Sequence, residues 1–76
     1  MTIDTLKRIM ESGQFDHATY RNLGTIWEGL YIYVKEDSKI GFTLAGSFNK
    51  NDGSIVDQAY ELVRSTGVSL GIRGNG

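Results

Sequence analysis

Residues 25–36, TIWEGLYIYVKE, constrain the fold more than any other stretch of this chain. They are dense in β-branched and aromatic residues, the types that suit a pleated surface. A period of two sorts them into two faces. Ile26, Glu28, Leu30, Ile32 and Val34 share one, and Thr25, Trp27, Gly29, Tyr31, Tyr33 and Lys35 share the other. A polar Asp37-Ser38-Lys39 turn follows, and then a second apolar run. In it Ile40, Phe42, Leu44 and Phe48 are expected on one face, and Thr43, Ala45 and Ser47 on the other. Two strands joined this way read as a β-hairpin. A lone hairpin is marginal in water, so the rest of the chain must cover one of its faces.

Two amphipathic helices are available to do so. Thr2 is placed to cap a helix beginning at Ile3, with Ile3, Leu6, Ile9 and Met10 on one side and Gly13 as its stop. The second helix is expected over about 54–66, with Ser54 and Asp57 in a capping arrangement. Ile55, Ala59, Leu62 and Val63 form its stripe, Val56 and Tyr60 flank it, and Gly67 ends it. Residues 14–24, QFDHATYRNLG, read as a short extended segment ending in an Asn22-Leu23-Gly24 turn. Val68, Leu70 and Ile72 alternate with Ser69, Gly71 and Arg73 as a last strand. The element order is α-(β)-β-β-α-β. The fold class is therefore α+β: a two-layer domain, residues 1–76, with an antiparallel sheet and both helices on one face.

That packing has a consequence for function. The other sheet face meets water, and it carries Trp27, Tyr31 and Tyr33. A wet sheet face is normally polar, and exposed aromatics mark interaction sites. A second arrangement stays open at this point: the segment around Phe15 and Tyr20, or the first helix, folds over these rings and makes them core.

Catalytic constellations can be checked by counting. The chain has no cysteine and one histidine, His17. Thiol nucleophiles and thiolate metal sites are excluded, and a multi-histidine zinc site is too. No Gly-x-Ser-x-Gly stretch is present. The Asn49–Gly53 loop fails as a calcium loop, because Phe48 and Ala59 fall where the end ligands belong. Glu28, Asp57 and Glu61 remain as candidate acid–base carboxylates, with Glu28 expected to reach solvent near its strand's end. With 76 residues there is little room for a deep pocket. No enzyme, metal or cofactor is expected.

The formal net charge of −1 argues against a protein that relies on neutralising phosphates. No apolar run is long enough to cross a bilayer, the N-terminal stretch does not read as a signal peptide, and the expected compartment is the cytoplasm. The C-terminal GIRGNG resembles the ubiquitin terminus in its Arg-Gly and in chain length, but it ends Asn75-Gly76 and the chain opens with a helix. The ubiquitin reading is set aside, and the glycines read as a fraying end. An uncapped last strand also offers an edge to a second copy, so a homodimer is one expectation.

The profile resembles, in size and class and not in any motif, the small inhibitors encoded by bacteriophages and mobile elements, the anti-CRISPR proteins among them. The resemblance implies a non-enzymatic protein that covers the surface of a larger protein or nucleoprotein complex. Trp27, Tyr31 and Tyr33 are the expected contacts, with Arg21 and Asp52 as a polar rim. A nucleic-acid module that stacks bases on the sheet is one alternative. A homodimeric assembly subunit is the other.

Overall fold

The computed structural model describes residues 1–22, 24–36, 41–67 and 70–74, the last five by their backbone alone. The Asp37-Ser38-Lys39 turn, Leu23, Ile40, Val68, Ser69 and the final Asn75-Gly76 lie outside the described residues. The elements are α1 (Ile3–Glu11), β1 (Phe15–Asn22), β2 (Gly29–Lys35), β3 (Phe42–Asn49), a short 3-10 turn (Lys50–Asp52), α2 (Ser54–Ser65) and β4 (Leu70–Gly74). The fold is α+β, with helices packed against a sheet, in the expected order.

Both helices begin and end for local reasons. The Thr2 hydroxyl accepts from the Thr5 amide at 3.2 Å and caps α1. Gly13 and Gly67 sit at φ 76, in the left-handed turn that ends each helix. The start of α2 differs from expectation. Its N-cap is Gly53, without a side-chain cap. The capping box lies one turn earlier, between Asn49 and Asp52, around the 3-10 turn.

The sheet order is β3-β2-β1-β4. β1, β2 and β3 form an antiparallel meander. β4 joins parallel to β1, so the complete sheet is mixed. The reason is the α2 crossover. It carries the chain back along the sheet, so β4 runs in the direction of β3, which is also that of β1.

One face holds the core. Ala18 of β1, Leu30 and Ile32 of β2 and Phe48 of β3 are buried together with Leu6 of α1 and Val56, Ala59 and Val63 of α2. Both helices therefore cover the same face. The α2 stripe is rotated from its expected position: Val56 is core, while Ile55 is 41% exposed. Phe15 and Tyr20 also pack against this core. They do not fold over the other face, and α1 does not either.

Two β-bulges set the second face. Asp16 and His17 of β1 together oppose Tyr33, and so do Leu44 and Ala45 of β3. A bulge inserts one residue and reverses the alternation beyond it. Phe42 and Leu44 are thereby moved from the expected core face to the helix-free face, and Thr43 takes the place beside Val34.

Candidate functional site

The helix-free face is built on β2. Across it, Tyr33 stands between His17 and Leu44, and Tyr31 between Thr19 and Ser47. The His17 ring stacks on Tyr33 with centroids 4.5 Å apart and planes 6° from parallel. Phe42 meets His17 edge-on at 4.5 Å and Tyr33 at 5.5 Å. The His17 Nδ1 lies 2.6 Å from Asp16 Oδ2, which fixes the ring's orientation. Arg21 reaches over the same surface. Its guanidinium carbon is 4.4 Å from the Tyr31 ring centre, and its Nη2 donates to the Tyr33 hydroxyl at 3.1 Å. Among the described residues no carboxylate pairs with Arg21, and its buried Nε has no acceptor. The cation is held by the Tyr31 ring face and the Tyr33 hydroxyl and, among the described residues, is not neutralised.

Trp27 does not lie on β2 as expected. The strand begins at Gly29, and residues 24–28 form a turn. Ile26, expected in the core, is 67% exposed and Trp27 is 66% exposed at the tip of that turn. The backbone beneath them is tied from several sides. Tyr31 donates its hydroxyl to the Trp27 carbonyl. The Asn49 side chain donates to the Ile26 carbonyl. The Trp27 amide donates to the Thr25 hydroxyl at 3.1 Å. Trp27, Tyr31, Ser47 and Asn49 border one shallow depression. The structure thus brings Trp27 and Tyr31 together, and joins Tyr31, Tyr33 and Arg21 in one contact group.

Glu28 anchors the turn from below. It is buried, contrary to the expectation that it reaches solvent. Its carboxylate accepts from the Gly24 amide at 3.3 Å and from the Tyr20 hydroxyl at 3.4 Å, and lies 2.9 Å from the Lys50 ammonium. The hydrogen bond from Lys50 is the main reason that this carboxyl ionises below its ordinary value of 4.5, although burial pushes the other way. The Lys50 ammonium is held above its ordinary range by the same contact. Glu28 is therefore held ionised by Gly24, Tyr20 and Lys50 and ties the turn to β1 and to the 3-10 turn. A carboxyl with a depressed folded pKa contributes stability above its unfolded pKa, and this is lost as pH falls through the folded value. Thermal melting followed by circular dichroism from about pH 6 to about pH 3 is expected to show that loss, beginning below about pH 4.5. Glu28→Gln should have a visibly flatter profile; an unchanged profile would assign the acid sensitivity to other carboxylates.

Asp52 also has a structural task. Its carboxylate accepts from the Asn49 amide at 3.2 Å and holds the 3-10 turn that follows β3. It fixes Asn49, and through it the Trp27 turn, without joining the aromatic surface. Among the described residues no three His, Asp or Glu side chains converge on one point, and no helix is long and apolar enough to cross a membrane.

Sequence reasoning missed Ile26, Phe42, Leu44, His17 and Asn49 as members of this surface. The Asn22–Thr25 composition already signalled a turn before β2. The bulges leave no comparable signal in the alternation. Compared with protein-family models, with curated proteins and with solved structures, the chain matches none.

Proposed function

We propose that this chain is a non-enzymatic binding domain that docks its helix-free sheet face and the Ile26–Trp27 turn onto a larger protein, modulating or inhibiting that partner by covering its surface. One observation carries the reading. Four large apolar side chains, Ile26, Trp27, Phe42 and Leu44, stand 50–67% exposed on or beside the helix-free face. Single exposed apolar residues are ordinary, but a cluster of them beside tyrosines and an arginine is the composition of a binding centre. The tied turn supports the reading too, since a fixed backbone reduces the entropy lost on docking. The partner chemistry that fits is an apolar patch containing a carboxylate, which would meet the unneutralised Arg21. We assign the protein to the cytoplasm on its cysteine-free sequence.

The test is site-specific photo-crosslinking in the cells that make the protein. A crosslinking side chain at Trp27 is expected to capture a discrete partner, and one at Gln58 on α2 is not. Trp27→Ala is expected to leave melting within about 0.5 kcal/mol of wild type. It should weaken the captured partner by at least about 2 kcal/mol, roughly thirty-fold. Capture from α2 alone, or an adduct with nucleic acid in place of protein, overturns the assignment.

A further inference from the structure

The charges of the sheet are sorted by face. Its strands hold three cations, Arg21 of β1, Lys35 of β2 and Arg73 of β4, and a single carboxylate, Asp16. Pairing sets all three cations on the helix-free face. Arg73 is the register partner of Arg21. Lys35 is exposed and is the register partner of Phe42, at the far end of β2. Asp16 is engaged by the His17 ring. Neither Arg21 nor Lys35 has an ion pair among the described residues. The chain nevertheless has a net charge of −1. Four of its carboxylates, Asp4, Glu11, Asp57 and Glu61, belong to the helices, on the other side of the sheet. The helix-free face is therefore the cationic one, and its cations stand at two ends. Arg21 is level with Gly29, and Lys35 lies six residues further along β2, about 20 Å at the rise of a strand. Tyr31, Tyr33 and Leu44 stand between them.

We propose that the partner docked here presents an acidic protein surface, with an apolar centre over Tyr33 and Leu44 and carboxylates at both ends. One group meets Arg21 and Arg73, and the other meets Lys35. The inference rests on the docking reading and specifies its partner. The rings favour protein over nucleic acid as the anion. Tyr31 already takes the Arg21 guanidinium and Tyr33 the His17 ring, so these faces are not open to a base, and Leu44 and Ile26 have no ring to stack. A face of this kind steers an acidic partner and makes association sensitive to salt.

The probe is a random copolymer of glutamate and tyrosine, titrated into the purified chain and followed by amide chemical shifts. The expected shifts fall on β1, β2 and β3 and not on the helices, and the affinity drops as salt is raised. Lys35→Glu and Arg73→Glu are each expected to weaken binding about five-fold with an unchanged circular dichroism spectrum. Lys7→Glu, the same charge change on α1, should weaken it less than about two-fold. Undetectable binding, equal weakening by Lys7→Glu, or tighter binding of oligodeoxythymidine than of the copolymer overturns the inference. A partner captured at Trp27 whose crosslinked surface has no excess of carboxylates overturns it too, and leaves the docking reading standing. Absence of any capture at Trp27 overturns the docking reading itself.

Discussion

Phe48→Ala is expected to remove most of the stability of this domain. Phe48 is the largest fully buried side chain, 1% exposed, and it is the one buried residue that β3 contributes. It lies opposite Leu30 on the sheet and shares the core with side chains of both helices. Truncating a buried phenylalanine costs about 3–5 kcal/mol, part lost transfer energy and part cavity. A domain of 76 residues has a total stability of only about 4–11 kcal/mol. The loss is therefore comparable to the lower half of that range. Urea denaturation of Phe48→Ala should show a shortened or absent folded baseline. Phe48→Leu, which keeps most of the volume, should lose clearly less. Equal midpoints for the alanine variant and wild type would mean that the two helices do not close over this face.

Gly29→Ala is expected to be nearly as harmful, for a different reason. Gly29 sits between Arg21 of β1 and Asn49 of β3 in the sheet. A Cβ there would run into the Phe48 carbonyl oxygen and would lie 3.0 Å from the Asn49 Cα and 3.1 Å from the Phe48 carbonyl carbon. These are backbone atoms of a paired strand, so they cannot rotate away. The strands must part locally, at a cost of about 3 kcal/mol, the upper end for overpacking. The damage falls where Asn49 holds the Ile26–Trp27 turn. Gly29→Ala should therefore lower the denaturation midpoint and also release Trp27, with faster depolarisation of its emission. Gly24→Ala, at a turn position with open space around it but φ +65, should strain its own backbone and leave the β2–β3 ladder intact.

Most of the fold was legible because periodicity reports burial. The Ile3–Met10 and Ala59–Val63 spacings, the Thr2 cap and the Gly13 and Gly67 stops each follow from local rules, and they locate both helices. Leu30, Ile32 and Phe48 read as core from alternation alone, and they are core. What was not legible has physical causes. The two bulges beside Tyr33 reverse the faces of their strands; in FTLAGSFN only the isolated Gly46, next to the extra residue, marks the place, and in β1 no glycine does. Phe42 and Leu44 consequently exchanged faces with Thr43. Parallel pairing of β4 depends on where the α2 crossover returns the chain, a tertiary matter that residues 70–74 do not encode. Glu28 looked like a solvated end residue because its partners, Gly24, Tyr20 and Lys50, are four, eight and twenty-two positions away and meet only in the fold. At the candidate site, Trp27, Tyr31, Tyr33 and Arg21 were visible as residue types. The turn that projects Trp27, and the task of Asp52 beneath it, were not.

Trp27 stands in solvent on a fixed turn beside the helix-free face. It is the chain's single tryptophan, so its fluorescence reports that position alone. Acrylamide quenching with time-resolved anisotropy, on dilute protein, measures both properties together. The expected result is red-shifted emission, efficient quenching and a ring that tumbles mainly with the whole domain. Blue-shifted emission that acrylamide quenches poorly would place Trp27 under cover and remove the centre of the proposed docking surface.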